Sequence, residues 1–195
     1  MIVALWWTSL AHAEHWEEDR TEILVGFVGG NRAPSAAPFA QVEGTPSASF
    51  TAPLSTGVPM GTLAFGPSWE ARLVASQVRF ALGLNALWPD WPDEAVSGAL
   101  HGLRGQEVVF GLGVEPPIGP VTPFVDVLGS MTHWTADLPV GDAETQWKSD
   151  GFVPSVRLGA RLSLEDHVFV ETAASVSPFD VEHWDVAIRA GVACF

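Results

Sequence analysis

Apolar and polar residues alternate with a period of two along most of the chain after residue 20, and no stretch shows a convincing helical period. In residues 152–162, for example, Phe152, Val156 and Leu158 share one face while Arg157 and Arg161 lie on the other. Seven other segments alternate in the same way. The sequence therefore predicts eight strands, over residues 21–30, 58–65, 70–86, 105–114, 120–133, 150–163, 167–177 and 184–195.

The connections between these segments alternate in length. Short turns are predicted at 66–69, 115–119 and 164–166, and long polar connections at 31–57, 87–104, 134–149 and 178–183. Alternation of short and long connections is typical of an up-and-down barrel whose two rims face different compartments. Strands of about 9–11 residues cross a bilayer at a tilt. The pattern predicts an all-β fold, an eight-stranded antiparallel up-and-down transmembrane β-barrel.

The two faces of the predicted strands differ in composition. One face is almost entirely Val, Leu, Ile, Phe and Ala, whereas the other is small or polar and carries mid-strand charges. Charges facing lipid are costly, and charges inside a narrow lumen must pair with one another. The sequence therefore predicts a structural charge network that plugs the lumen, made of Arg79, Glu107, Asp126, Arg157, Arg161, Glu171 and Arg189.

The predicted turns also set strand register around Glu171. A turn centred near residue 165 would place Glu171 opposite Gly159 and diagonal to Arg157 and Arg161. A loop centred near residue 180 would place the same carboxylate directly opposite Arg189. We therefore expect one carboxylate to be bracketed by three guanidinium groups.

Tryptophans occur where the predicted strands meet their connections. Trp69 falls in a short turn, and Trp88, Trp91, Trp134 and Trp184 fall where strands meet long loops. Aromatic side chains at both ends of membrane-spanning strands form interfacial belts. These five tryptophans are therefore predicted to form the aromatic belts.

Composition narrows the possible partners. The chain has nine Lys and Arg against 23 Asp and Glu, a formal net charge of −14. Such a charge excludes a nucleic-acid partner, because phosphate backbones are bound by clustered cations. The single cysteine, Cys194, excludes an intrachain disulfide and a cysteine-based metal site. The histidines show no ligand spacing, so no metal and no cofactor are predicted.

The first residues have the pattern of an export signal. Residues 1–13 are apolar and end in Ala11-His12-Ala13, the small-residue pattern that precedes signal-peptidase cleavage, and a polar acidic stretch follows. The predicted organisation is a signal peptide at 1–13 and a barrel domain at 14–195.

From about residue 20 onward the chain resembles the small eight-stranded outer-membrane barrels of Gram-negative bacteria, the OmpA-like transmembrane domain and the OmpX-type proteins. The resemblance rests on the export signal, on GPVTPFV at 119–125 and PSVRLGARL at 154–162, and on the terminal Phe195. It implies outer-membrane localisation, contact with outer-membrane lipids and lipopolysaccharide, and insertion by the barrel-assembly machinery, which reads a C-terminal aromatic residue. Here Val192 and Cys194, not Phe195, fall on the apolar face of the final strand.

The predicted role is structural or surface-interacting, with no catalytic residues, and the pattern points to no particular partner for the loops. Two alternatives remain open. A lipid-modifying enzyme of the outer membrane would need an activated serine, for which Ser177, His183 and either Glu182 or Asp185 are the nearest set. A soluble lipocalin-like binding barrel would also show period-two alternation.

Overall fold

The computed structural model describes residues 19–31, 40–43, 50–52, 63–89, 101–116, 121–140, 143–179 and 183–195. The regular structure of these residues is β throughout, in ten strands: β1 Arg20–Asn31, β2 Ala40–Glu43, β3 Phe50–Ala52, β4 Leu63–Ala75, β5 Val78–Pro89, β6 His101–Val114, β7 Val121–Val140, β8 Ala143–Ser163, β9 Val168–Val176 and β10 Trp184–Cys194. Residues 1–13, the predicted signal peptide, lie outside the described residues. The described part of the chain holds no helix long and apolar enough to cross a membrane.

Eight of the strands close into an antiparallel barrel. Their order is β1-β4-β5-β6-β7-β8-β9-β10, and β10 pairs back with β1. The short strands β2 and β3 pair with each other, and β2 also pairs with residues 146–148 of β8. The predicted eight-stranded antiparallel barrel is confirmed.

Both ends of the barrel domain and all its short turns lie at one end, here called the turn rim. Thr21 pairs with Cys194 there, and the turns at 76–77 and 164–167, together with Glu115 at the end of β6, lie at the same edge. Backbone bonds join these turns to their neighbours, from Glu115 N to Gln77 O at 2.9 Å and from Ala193 N to His167 O at 2.8 Å. The opposite end, where the longer connections emerge, is the loop rim.

The structure corrects the predicted strands at 58–65 and 70–86. One strand, β4, runs through the predicted turn at 66–69, and the turn falls at residues 76–77 instead, with Ser76 in the left-handed region at φ 57°. Gly-Pro usually marks a break. Here the β4–β5 ladder skips Gly66 and Pro67 without ending, and a Cβ at Gly66 would lie 1.6 Å from the Ala86 carbonyl oxygen.

The predicted long connection at 134–149 is also wrong. Strand β7 continues to Val140 and β8 begins at Ala143, with unbroken pairing from Val140↔Ala143 down to the barrel wall. Polar residues in this segment suggested a loop, yet β7 and β8 stay paired through it and β2 adds to β8 at residues 146–148, because backbone pairing does not require apolar side chains.

Side chains point alternately into and out of the barrel, and the polarity is inverted relative to a water-soluble barrel. Large apolar side chains are exposed on the outside, as in Phe27 at 71% and Val127 at 63%, whereas six arginines and seven acidic residues of the described chain are buried inside. This is the arrangement of a barrel whose wall faces lipid. A soluble lipocalin-like barrel requires a polar exterior, so the structure contradicts that alternative.

Closure between β1 and β10 depends on a close approach at Gly26, where a Cβ would lie 2.0 Å from the Ile188 carbonyl oxygen. We expect Gly26→Val to prevent closure, so that the protein loses the fast-migrating band that a folded barrel gives in unheated SDS gels. Val25→Ile, on the lipid-facing side of the same strand, is the control and should keep it. A fast band from the Gly26 variant would contradict this account of closure.

Candidate functional site

The candidate site is an ion-pair network that fills the turn-rim half of the lumen. It consists of six arginines and five acids whose side chains are at most 5% exposed: Arg20, Glu22, Glu70, Arg72, Arg79, Glu115, Asp126, Arg157, Arg161, Glu171 and Arg189. Alternate residues of a strand point to the same face, so Glu70 and Arg72 of β4 and Arg157 and Arg161 of β8 all enter the lumen.

Glu171 lies at the centre of this network. Arg72 binds it in a bidentate pair, with Nη1 and Nη2 at 2.5 and 2.6 Å from the two carboxylate oxygens. Arg189, Arg79 and Arg161 place nitrogens 3.5, 3.6 and 3.9 Å from the same carboxylate. Four guanidinium groups therefore surround one carboxylate: Arg72 forms charge-assisted hydrogen bonds with it, and the other three form longer ion pairs.

The predicted register around Glu171 is right on one side and wrong on the other. Arg189 pairs directly with Glu171 across β9 and β10 as expected. Across β8 and β9, however, the residue opposite Glu171 is Arg161 rather than Gly159. The β8–β9 turn is centred at residue 166, one position beyond the predicted centre, which shifts the register by two residues and moves Arg157 away from Glu171.

Glu70 is the second node. Arg157 Nη1 and Nη2 lie 2.6 and 2.9 Å from its two oxygens, and Arg72 Nε also contacts it. Arg157 donates in addition from Nε to Asp126 at 2.7 Å, and Arg79 Nε lies 3.3 Å from the same aspartate. Arg157, which lies on β8, thus contacts both Glu70 of β4 and Asp126 of β7.

The third node lies at the turn rim. Arg161 donates to Glu22 at 2.7 Å and to Glu115 at 3.2 Å, and Arg79 donates to Glu115 at 3.1 Å. Arg20 contacts both Glu22 and Glu115. These pairs connect β1, β5 and β8 with the residue that follows β6, so the rim is held by charges from four parts of the chain.

Two aromatic rings stack against guanidinium groups of the network. The Arg79 guanidinium carbon lies 3.9 Å from the centroid of Phe124, and that of Arg161 lies 4.2 Å from the centroid of Phe169. Stacking on a ring face stabilises a cation where no further carboxylate is available. The rings thus complete the packing that the ion pairs leave open.

Above the network, toward the loop rim, amide and hydroxyl groups pair with two further acids, Glu107 and Asp185. Asn85 Nδ2 donates to Glu107 at 2.6 Å, and Ser175 Oγ donates to Asp185 at 3.1 Å. Glu107, which the sequence places in the charge network, is buried in this upper layer beside an amide. All seven residues predicted for the lumen are buried in it.

An apolar cluster closes the lumen beyond this layer, formed by Val28, Ala64, Leu87, Trp134, Ala136 and Ala187. Trp134 was predicted in an aromatic belt, but it is 2% exposed, and its ring covers the position where a Cβ at Gly105 would lie. The parity of β7 explains the error, since Trp134 follows Thr132 and Ser130 on the inward face.

The other predicted belt residues differ in where they lie on the barrel. Trp88 and Trp184 are exposed near the loop rim, at the ends of β5 and β10. Trp69 is exposed on the outer wall, but it lies in the middle of β4 rather than at a short turn. Trp91 lies outside the described residues.

Sequence reasoning missed Arg20, Glu22, Glu70, Arg72 and Glu115. Sequence analysis missed Glu70 and Arg72 because it placed the turn at 66–69. The observed two-residue turn at 76–77 changes the inward-facing positions from even numbers in β4 to odd numbers in β5. Glu22 lay on the face of the first predicted strand opposite Ile23, Val25 and Phe27, so the alternation already indicated that it points into the lumen. Arg20 and Glu115 fell just outside predicted strands.

The described residues contain no group of three or more His, Cys, Asp or Glu side chains arranged to hold a metal ion. Ser177 and His183, the pair considered for lipid hydrolysis, are both buried and are joined through their backbones, Ser177 N to His183 O at 3.0 Å. The Ser177 hydroxyl accepts from the Phe179 amide at 3.3 Å.

Comparison with known proteins identifies the fold. No protein-family model matches the chain, and no curated protein sequence matches it. Among solved structures, Neisserial surface protein A (NspA) superposes with a TM-score of 0.55 at 11% identity, covering 89% of this chain and 95% of that one. Ail, the attachment invasion locus protein of Yersinia pestis, gives 0.49 at 9% identity, covering 90% and 97%. The chain has the fold of a small outer-membrane β-barrel.

The central position of Glu171 makes its removal costly. We expect Glu171→Ala to lower the free energy of unfolding by roughly 3–5 kcal/mol, because four arginines lose a shared partner in a closed space. Glu165→Ala, which removes an exposed carboxylate in the adjacent turn, should change it by less than about 0.5 kcal/mol. Urea midpoints of refolded protein in detergent measure both, and equal small effects would contradict a stabilising role of the network.

Proposed function

We propose that this protein is an integral outer-membrane barrel with a structural or surface-interaction role and a lumen plugged by charge pairs. The observation that carries the proposal is the paired guanidinium and carboxylate groups that span the lumen from wall to wall. Eight strands enclose an interior just wide enough for side chains, so such a network leaves no continuous aqueous path. The apolar cluster around Trp134 forms a second barrier above it.

In this proposal the turn rim faces the periplasm and the loop rim faces the outside. Short turns on the periplasmic side and longer connections outside are general features of such barrels. Six of the nine Lys and Arg residues are used inside the lumen, so the remaining chain is strongly acidic. The outer connections therefore present mainly negative charge to whatever the protein meets at the surface.

Outer-membrane lipids and lipopolysaccharide are the proposed partners of the wall, and the barrel-assembly machinery is the proposed partner during insertion. The exposed apolar face supports the first of these. At the end of β10, Phe195 is 44% exposed and its ring lies 5.4 Å from that of His167. An exposed aromatic ring directly after β10, at the turn rim, supports the second.

A lipid-modifying enzyme is less well supported. Its serine and histidine would have to reach a lipid substrate at the outer wall, whereas Ser177 and His183 are 1% and 8% exposed and follow the inward parity of β9 and β10. The proposed function therefore includes no catalytic step.

The plug is tested by electrical measurement. In planar bilayers we expect no large stable conductance steps from the protein. Trp134→Ala should be equally silent, because the ion-pair layer beneath the apolar cluster still fills the lumen. Stable currents through the unmodified protein would refute the plug, and currents only in the Trp134 variant would show that the apolar cluster, not the charge network, is the barrier.

The absence of catalysis is tested with lipid vesicles. Incubation of refolded protein with phospholipid or lipopolysaccharide should release no fatty acid above the level of a heat-unfolded sample, because the buried serine cannot reach an ester bond. Release that Ser177→Ala abolishes would overturn the structural role in favour of a hydrolase.

A further inference from the structure

The wall of the barrel has a gap in its backbone pairing between β4 and β5. Pairing stops below Phe65 and Trp88 and resumes lower down the wall, so that residues 66–67 and 86–87 do not pair with each other. Within the described residues, every other strand boundary of the barrel is paired without a gap, apart from a register shift at the loop-rim end of β6 and β7. Residues 66–67 and 86–87 are here called the seam.

A proline accounts for the gap. The Glu115 N–H donates to the Gln77 carbonyl at 2.9 Å, so odd-numbered residues of β5 hydrogen-bond to β6, and even-numbered ones, including Ala86, hydrogen-bond to β4. In the β4–β5 register the residue opposite Ala86 is Pro67, which has no N–H to donate. The Ala86 carbonyl also approaches Gly66 so closely that there is no room for a Cβ there. This carbonyl therefore lacks its ladder donor, and such a group is costly in a wall that faces hydrocarbon.

Backbone pairing is intact on both outer sides of the seam. Residues 66–67 pair with residues 27–28 of β1, and residues 86–87 pair with residues 105–106 of β6. Two well-paired sections of the wall therefore meet at a joint that side-chain packing closes. Separation of the two sections at this joint would break no ladder pair.

The seam separates two apolar regions. On the lipid-facing side, Phe65 and Trp88 are 48% and 54% exposed. On the lumenal side, Ala64 and Leu87 are fully buried and belong to the apolar cluster around Trp134. A molecule that crosses the wall here passes from hydrocarbon to apolar side chains without breaking an ion pair.

A buried amide borders the seam on the lumenal side. Asn85 directly precedes the seam in β5 and is 4% exposed. Its Nδ2 donates to Glu107 of β6 at 2.6 Å, whereas its Oδ1 accepts no hydrogen bond. Because the two atoms lie on opposite sides of the planar amide, Oδ1 points away from Glu107. A buried acceptor without a donor is costly, so a molecule that donates one hydrogen bond at this position is favoured.

We propose that the seam is a lateral opening in the wall, through which an uncharged, mostly apolar molecule with one hydroxyl group passes between the outer leaflet and the apolar cluster. The strands separate at residues 66–67 and 86–87, and the hydroxyl donates to Asn85 Oδ1 as the molecule enters. Apolar surroundings on both sides of the seam favour an apolar ligand. The unpaired amide oxygen favours a ligand with one donor. The assignment to the outer leaflet rests on the orientation proposed above.

Opening is tested by amide hydrogen exchange, measured by NMR on refolded protein in detergent. The Ala86 amide faces the seam, whereas the Leu84 amide faces β4 two residues away, where Leu84 pairs with Trp69. We expect the Ala86 amide to exchange about tenfold faster than the Leu84 amide, since local opening exposes it without disturbing the rest of the wall. Equal protection of the two amides would overturn the opening.

Restoring the missing donor should close the seam. Pro67→Val supplies an N–H opposite the Ala86 carbonyl and should remove the difference in exchange rate between Ala86 and Leu84. Pro123→Val makes the same change at a strand proline whose pairing with Ala160 is unbroken, and should leave that difference as it is. Heat-modifiable mobility on SDS gels establishes that each variant is folded. A difference that persists in the Pro67 variant would overturn the role given to the missing donor.

Entry is tested with para-hydroxybenzophenone, an uncharged apolar photocrosslinker with one hydroxyl group, and the crosslinked residues are identified by mass spectrometry. We expect labelling of Leu87 and Ala64 in the unmodified protein and about fivefold less in Pro67→Val. Para-methoxybenzophenone, which cannot donate a hydrogen bond, should label them more weakly. Equal labelling of these lumenal residues in Pro67→Val would overturn lateral entry, and equal labelling by the methoxy compound would overturn the assigned ligand class. Neither result depends on whether the lumen conducts ions, so this inference and the plug fail independently.

Discussion

Every charge that enters the lumen of this barrel must find its partner inside, and the rest of the interior is arranged around that requirement. Each of the eight barrel strands contributes at least one buried ionic side chain, and the pairs join residues as far apart in sequence as Glu22 and Arg161. A network of this kind specifies which strands face one another, because a misplaced strand would leave an uncompensated charge in a closed space. Glu171, surrounded by four guanidinium groups, carries the largest share of that constraint.

The same requirement accounts for the layered interior. Ion pairs occupy the turn-rim half, where arginines from β4, β5, β8 and β10 converge, and amides and hydroxyls follow above them. The apolar cluster around Trp134 lies nearest the loop rim, where no carboxylate of the network reaches. Phe124 and Phe169 stack on guanidinium groups within the charged layer. Polarity thus falls along the lumen toward the loop rim.

Cations are segregated between the two surfaces of the wall. Inside they neutralise carboxylates, whereas Arg104 and Lys148 lie at outward-facing positions of β6 and β8. Six of the nine Lys and Arg residues are buried in the lumen, so few cations remain for the rest of a strongly acidic chain. The lumen and the outer wall therefore serve separate purposes, one holding the barrel closed and the other meeting the membrane.

The sequence by itself determined the fold class, the number of barrel strands and the inward face of most of them. These follow from a local rule, since side chains alternate every residue and lipid admits only apolar ones. It did not determine the turn at Ser76, the two-residue register shift that pairs Arg161 with Glu171, or the inward position of Trp134. Register and turn position depend on how the strands align when the barrel closes, and alignments two residues apart preserve the same alternation. Only closure, with its demand that Glu70, Arg72 and their partners meet, distinguishes between them.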